Sequence, residues 1–390
     1  MSAAYIVAAV RTAGGRKGGK LAGWHPADLA GKVLDELVER VDADPALVED
    51  VIMGCVSQAG EQALNIARGA IMSSKFPESV PGTSVDRQCG SSQQALQFAA
   101  QAVMSGTQDI VIAAGVESMT RAPMGSSVVP LLKAGFGHPK GPAQEARYPG
   151  IQFSQFAGAE MIAEKYGLTK DQLDQYGFES HQKAIAATQG GAFKDEILAI
   201  AVRDAEGAET LHAADEGIRF DVSLDGMRGV KLLQEGGRIT AATSSQICDG
   251  ASGVLVVSEK GLKTLGVEPL ARIHHLSVMG GDPVIMLETP LPATLRALEK
   301  AGMSIDDIDL FEVNEAFASV PVAWLQTTRA DPARLNVNGG AIALGHPLGA
   351  SGTKLMTTLI HALRARGKRY GLQTMCEGGG LANVTIVEAL

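Results

Sequence analysis

Two stretches of the sequence follow one plan, and that repetition constrains the fold more than any other feature. In the first, a strand-like Thr83–Val85 leads to a turn carrying Cys89, then to a long apolar helical run and the strand-like "DIVIAAGVESM". In the second, "NVNGGAIALGHPLGASG" leads to a helical run over Gly352–Arg366 and then to "GLQTMCEGG". Each unit is strand, glycine-containing turn, helix, strand, with reactive side chains at the turns. A repeat of this kind implies two similar halves.

The rest of the chain fits that plan. Apolar, β-branched runs suited to strands fall at Ala4–Val10, Asp50–Val56, Asp109–Val116, Gly253–Val257, Ala271–Val278, Asp307–Val313, Gly371–Cys376 and Asn383–Val387. Helical patterns fall at Pro26–Arg40, Ser91–Ser105, Ala157–Tyr166, Lys170–Thr188, Ala293–Ala301 and Gly352–Arg366. Short hydrophobic strands separated by helices predict an α/β fold with parallel sheets covered on both faces. Between about Thr120 and Thr243 the texture changes to Pro, Gly and charge, as in "GFGHPKGPAQEARYPG". This reads as a long surface insertion, and its two amphipathic helices argue against disorder. The expected division is a first half made of residues 1–119 with 244–268, an insertion over 120–243, and a second half over 269–390.

A chain of 390 residues suits two or three such units. Its net charge of −9 argues against a general nucleic-acid or membrane-surface binder. No run of about 18 apolar residues is present, so no membrane span is expected. The opening "AYIVAAVRT" reads as a buried strand and leaves no room for a signal peptide, and the closing "VEAL" matches no retention or peroxisomal signal. The four cysteines, Cys55, Cys89, Cys248 and Cys376, lack both metal-ligand spacing and disulfide density. A reduced, cytoplasmic protein with no metal is expected.

Four places carry candidate chemistry. Cys89 in "SVDRQCGSSQQAL" stands at the start of a helix with serines available for capping. The positive end of the helix dipole lowers a thiol's pKa there, and Gly90 leaves amide N–H groups free as oxyanion donors. A buried inert cysteine is the competing reading. His346 lies among Gly339, Gly340, Gly345, Gly349 and Gly352 in a loop that is neither a phosphate loop nor a dinucleotide fingerprint. It reads either as a general base for a thiol or as a hydrogen-bonded structural histidine. Cys376 ends a strand before three glycines, Gly378 to Gly380, as a proton shuttle or a plain strand-end thiol. Asn314 in "FEVNEAFAS" either caps a helix beginning at Glu315 or holds a water or carbonyl oxygen, and Glu315 is a cap partner or an orienting carboxylate.

Together and in this order, these motifs give the chain its resemblance to the thiolases over essentially its whole length. The resemblance rests on "CGSS" at Cys89, "NEAF" at Asn314, "GGAIALGHPLGASG" around His346, "CEGGG" at Cys376, and "GRITAATSSQICDGASGVLV", which looks like the return from the insertion to the core. It implies the thiolase fold: two βαβαβαββ halves layered α-β-α-β-α, with a large loop-domain insertion. It also implies roles. Cys89 carries the acyl group, His346 takes its proton, and Cys376 is the second acid/base. One oxyanion hole uses His346 with a water on Asn314, and the other uses the N–H groups of Cys89 and Gly378. The implied activity is CoA-dependent cleavage of 3-ketoacyl-CoA, reversible by Claisen condensation, with coenzyme A as substrate and no prosthetic group. Arg219, Ser245 and Met286 match family positions near the nucleotide, the pantetheine arm and the acyl end. A homo-oligomer, dimer or tetramer, is implied as well.

The sequence also departs from the family. Asp86-Arg87-Gln88 replaces a pattern that often holds Asn, and Arg87 is expected to neutralise Asp86. Ser154 and Gln155 stand where short-chain biosynthetic thiolases often carry His-Met. That favours longer or bulkier chains, as in fatty-acid or steroid side-chain β-oxidation, over the alternative of a short-chain acetoacetyl-CoA thiolase. Glu377 adds a carboxylate beside Cys376, there to raise its pKa or to face solvent. A ketoacyl synthase on the same fold would need two histidines where this chain has Asn314 and Cys376.

Overall fold

The computed structural model describes residues 3–203 and 207–390. Residues 204–206 of the expected insertion lie outside the described residues. In the first half, strands β1 (Tyr5–Thr12), β2 (Asp50–Gly54), β3 (Gly82–Val85), β4 (Ile110–Ser118) and β5 (Cys248–Val257) alternate with helices α1 (Pro26–Glu39), α2 (Ile66–Met72) and α3 (Ser91–Ser105). Helices α4 (Gln155–Lys165) and α5 (Lys170–Gln189) belong to the insertion. In the second half, strands β6 (Ala271–Gly280), β7 (Leu310–Val313), β8 (Tyr370–Glu377) and β9 (Leu381–Ala389) accompany α6 (Pro290–Ala301), α7 (Ser319–Thr328) and α8 (Ser351–Ala365).

The strand order is β7-β8-β9-β6-β1-β5-β4-β2-β3. Read outward from the seam between β6 and β1, the two halves repeat each other. The seam itself is thin, with register pairs Tyr5↔Arg272 and Ile6↔Ala271. The sheets are mixed rather than parallel. β2 pairs parallel to β3 and β4, and β7 parallel to β8, while β5 and β9 run antiparallel to both neighbours. The glycine turn between β8 and β9 forces that pair to be antiparallel, because a connection that short closes a hairpin and cannot make a parallel crossover.

Three apolar clusters fill the gaps between layers. Along β4, Ile112 and Ala114 face one cluster with α1 and α2, while Val111 and Ala113 face another with α3 and α8. The third lies under α6 and α7, around Phe311 and Trp324. Side chains alternate across a strand, so strands covered on both sides need the unbroken apolar runs seen in the sequence. The layers are therefore α-β-α-β-α, with α3 and α8 back to back in the middle. They touch backbone to backbone: a Cβ on Gly352 would lie 2.0 Å from the Gln93 nitrogen, and the Thr353 amide donates to Ser92 Oγ at 3.0 Å. Both helices start at the turns singled out above, so this contact sets one half's site against the other's.

The insertion is fastened to the core by a fully buried cation. Arg11 on β1 donates from Nε to Glu196 Oε1 at 2.6 Å and from Nη1 to Asp215 Oδ1 at 2.8 Å, and its guanidinium stacks on Phe193 at 4.8 Å. Burial pulls the Asp215 carboxyl up, but Arg11 and Lys354 outweigh it and hold it below the usual carboxylate range.

Candidate active site

Cys89 sits in a tight turn between β3 and α3. Asp86 Oδ1 accepts the Gln88 amide at 2.7 Å, and Gln88 takes a left-handed φ of 50°. Ser91 Oγ accepts the Arg87 amide at 2.9 Å and donates to the Gln88 carbonyl at 2.6 Å. Ser91 thus braces the turn while Ser92 Oγ accepts from Thr353, and neither supplies an N-cap to α3. Cys89 lies partly exposed on the wall of an open cleft of about 730 Å³, which Met124, Phe153, Gln155, Met286, Leu348 and Gly378 also line. Burial, and then the Glu377 carboxylate, push its thiol up to about 12. The lowering expected from the helix dipole is outweighed by partial desolvation of the thiol and by the acid near it.

The second half supplies the partners. Ser351, in the first turn of α8, donates to the Pro347 carbonyl at 2.9 Å and meets His346 Nδ1 at 2.5 Å. A hydroxyl has one proton to give. With it on Pro347, Nδ1 is the donor to Ser351 and Nε2 keeps its lone pair. Burial, then Lys354, lower His346 to about 3, so the ring is neutral. Nε2 lies 3.4 Å from Asn314 Nδ2, and Asn314 Oδ1 is buried without a partner. An orphaned acceptor at this spot suits a bound water. Cys376 is the last residue but one of β8, fully buried, its thiol pushed up by burial, then by Cys89 and Glu377. Gly378 follows in the hairpin turn, where a Cβ would lie 3.0 Å from Gln88 Oε1, beside the Cys89 turn.

Away from Cys89 the groove continues. A second cleft of about 290 Å³, walled by Ser245, Phe317 and His346, shares Met124, Gln155 and Leu348 with the first. A third, of about 390 Å³, is walled by His181, Arg219, Ser223 and Met227 and shares Ala241 and Gln246 with the second. The eight residues singled out for the site therefore distribute along one path. Cys89, Cys376, Gly378 and Met286 gather at one end, His346, Asn314 and Ser245 come next, and the exposed Arg219 stands at the far end.

Several expectations are corrected. The helix after Asn314 begins at Ser319, so Asn314 caps nothing. Glu315 is instead a hub that accepts from Tyr176 at 3.0 Å, Ser180 at 2.7 Å, Asn336 at 3.0 Å and the Ile342 amide at 3.0 Å. Asp86 is engaged by its own turn, and the Arg87 charge acts on Glu377. Glu377 is fully buried rather than solvent-facing. Other residues hold the site without a motif to announce them. Lys354 Nζ donates to the carbonyls of Leu344 at 2.6 Å and Gly345 at 2.9 Å, just before His346. Gln246 Nε2 bridges the Gly217 and Ile342 carbonyls at 2.8 and 2.7 Å, while its own carbonyl accepts the His346 amide at 3.0 Å. Ser351, five residues beyond His346 at a helix start, was the one with a readable signal.

Comparison with known proteins identifies the family and the fold. Residues 4–260 match the family described as "Thiolase, N-terminal domain", and residues 267–389 match "Thiolase, C-terminal domain". The chain is 52% identical over 392 aligned residues to the steroid 3-ketoacyl-CoA thiolase FadA6 of Mycobacterium tuberculosis, covering 100% of this chain and 95% of that protein. It is 42% identical to a 3-ketoacyl-CoA thiolase of Pseudoalteromonas translucida, covering 98% of each. Among solved structures, the acetyl-CoA acetyltransferase of Bacillus anthracis superposes with a TM-score of 0.90 at 34% identity, covering 100% of this chain and 99% of that one. With likeness running from the first strand to the last, on a fold that repeats its plan in two halves, the chain belongs to the thiolase family.

Proposed function

We propose that the protein is a degradative 3-ketoacyl-CoA thiolase, an acyltransferase that uses CoA to cut a 3-ketoacyl-CoA into acetyl-CoA and a shortened acyl-CoA. The observation that supports this reading is the continuity of the cleft holding Cys89 with the cleft walled by a neutral, oriented His346, the two sharing Leu348, with Cys376 of the opposite half feeling the charge of Cys89. The Cys89 sulfur attacks the keto carbon while its proton passes to His346 Nε2. The bond between the keto carbon and its neighbour breaks, and its electron pair leaves as the acetyl-CoA enolate, which takes a proton from Cys376. An incoming CoA thiol gives its proton to the Cys376 thiolate and attacks the acyl group. Cys89 departs and recovers its proton from His346. Because Cys89 rests as a thiol, proton removal accompanies attack, which suits a base already neutral at every physiological pH. The water on Asn314 with His346, and the amides of Cys89 and Gly378, are proposed to stabilise the two oxyanions. The reverse direction is a Claisen condensation.

The three joined clefts suit coenzyme A as the extended substrate, with Arg219 toward its phosphates, Ser245 along its arm and Met286 at the acyl end; no prosthetic group is invoked. A first cleft of about 730 Å³ far exceeds a four-carbon acyl group and favours fatty-acid or steroid side-chain substrates. Gln155 lines it beside Met124, with Nε2 3.6 Å from the sulfur, and the relatives named above include a steroid 3-ketoacyl-CoA thiolase. The proposed units are 1–119 with 244–268, 120–243, and 269–390, supported by β5 pairing between β1 and β4. No helix among the described residues is long and apolar enough to cross a membrane. A cytoplasmic homo-oligomer is proposed, supported by four free thiols and by Leu64 and Met72, 98% and 66% exposed beside the edge strand β3.

The test is thiolysis of a 3-ketoacyl-CoA series from acetoacetyl-CoA upward, steroid-type side chains included. Cys89→Ala should abolish cleavage and the acyl adduct seen by mass spectrometry. A sharp preference for acetoacetyl-CoA would overturn the substrate reading, and an active Cys89→Ala variant would overturn the mechanism.

A further inference from the structure

The two halves place a carboxylate at the same point, near the end of the third strand from the seam: Glu117 on β4 and Glu377 on β8. They are used differently. Glu117 is saturated, accepting the amides of Val56, Ser57 and Gly349 at 2.9, 2.9 and 2.8 Å and Gln62 Nε2 at 2.9 Å. Glu377 accepts one amide, from Asn383 at 3.1 Å, and its Oε2 is buried with no partner. Its carboxyl lies directly against the backbone that follows Cys89, since a Cβ on Gly90 would sit 1.9 Å from Oε1. It also follows Cys376 in the chain. The charge of this one acid acts on both thiols. The cation that faces it is Arg87, whose Nε is likewise buried without a partner.

We propose that Glu377 is a third proton-carrying group of the reacting centre, holding its proton whenever Cys89 or Cys376 is a thiolate, so that its ionisation turns the thiols off. This rests on the reading of Cys89 and Cys376 as the reacting pair. Negative charges set close together in a largely desolvated site disfavour each other, so the three acids titrate as one coupled set. The charges facing that set are Arg87 on Glu377, with Asp86 and Glu117 acting further on Cys89. Burial pushes the Glu377 carboxyl up to about 8 against the pull of Arg87, which agrees with a proton held at neutral pH. Glu377 acts through the thiols and is a positioning residue for their charge.

The experiment follows Cys89 carbamidomethylation by iodoacetamide, read by mass spectrometry, beside the pH profile of kcat/KM for thiolysis. In Glu377→Gln, which keeps the acceptor for Asn383, alkylation at pH 9 should be about tenfold faster, equivalent to about one pH unit in the thiol. The alkaline limb of thiolysis near pH 8 should disappear. Arg87→Gln, which lets Glu377 hold its proton longer, should move that limb upward, and this arm stands alone if Glu377→Gln does not fold. An unchanged alkylation rate in a folded Glu377→Gln, or an unmoved limb in Arg87→Gln, overturns the proposal. Failure of the underlying reading is distinct: alkylated Cys89 with thiolysis intact would remove Cys89 as acyl carrier and leave the titration data standing.

Discussion

Gly352→Ala sets two effects against each other, and the structure decides which wins. Alanine is better than glycine in a helix by about 1 kcal/mol, so propensity alone makes the change stabilising. At position 352 the new Cβ would meet the Gln93 nitrogen at 2.0 Å, Cα at 2.7 Å and Cβ at 2.8 Å, where ordinary contact begins at 3.4 Å. The obstacle is mostly backbone of α3 and has no flexible end to swing away. The helices must part by about 1.4 Å at this point. Overpacking of this kind costs about 1–3 kcal/mol, and rigid neighbours put it at the upper end. The net expectation is a loss of about 2 kcal/mol after subtracting the gain in propensity. The same displacement separates the turn bearing Cys89 from the turn bearing His346, and a misplacement of about 1 Å costs roughly a hundredfold in rate. Thermal melts and steady-state thiolysis measure the two losses. Gly69→Ala in α2 is the matched control, because its Cβ would meet only the Ala27 Cβ at 3.6 Å, and it should hold or raise the melting temperature. A Gly352→Ala variant as stable as Gly69→Ala, with kcat within about twofold of the parent, would refute the claim that this crossing sets the site.

Other outcomes follow from features already described. With His346 neutral down to about 3, kcat/KM should show no acidic inflection from imidazole near 6.5; an inflection there that vanishes in His346→Asn contradicts the neutral-base reading. Asp215→Asn leaves Arg11 half-paired in the core and should cost about 3–5 kcal/mol. Because the folded Asp215 carboxyl lies below its unfolded value, its contribution is present at neutral pH and fades as pH falls below about 4, so the variant should lose less stability across that window in urea melts than the parent does. Arg219→Ala should raise KM for CoA about tenfold with kcat little changed, since an exposed cation at the far end of the groove contributes uniform binding.

Most of the architecture was legible because the strands are covered on both sides and must be apolar throughout. What escaped was short or local. Helix α2, seven residues with an internal glycine, and α7, with Pro321 in its first turn, lack the long periodic pattern that marks a helix. At the site, the reacting side chains could be named because their motifs are dense, but their electrostatics could not. Cys89 looked like an activated thiol at a helix end, yet burial and Glu377 decide its pKa, and neither can be read from neighbouring letters. Arg87 was paired with Asp86 by adjacency, while in space it acts on a residue 290 positions later. Arg11 gave no signal at all, since its partners lie 185 and 204 positions away.

The position of β1 has a consequence for how the chain is made. It leaves the ribosome before β2 to β9, yet it sits in the middle of the sheet between β5 and β6. Its main partner, Cys248–Val257, emerges about 240 residues later. At a synthesis rate of about 5–20 residues per second, the nascent strand waits roughly 10–50 s before it can be paired. During that time "AYIVAAV" is an unpartnered, strongly apolar segment with high strand propensity, the kind that aggregates when left open. Yield during expression should therefore depend on holdase chaperones and on slowed growth temperature more than on the stability of the finished enzyme, and synonymous codons that slow translation between residues 12 and 248 should lower it.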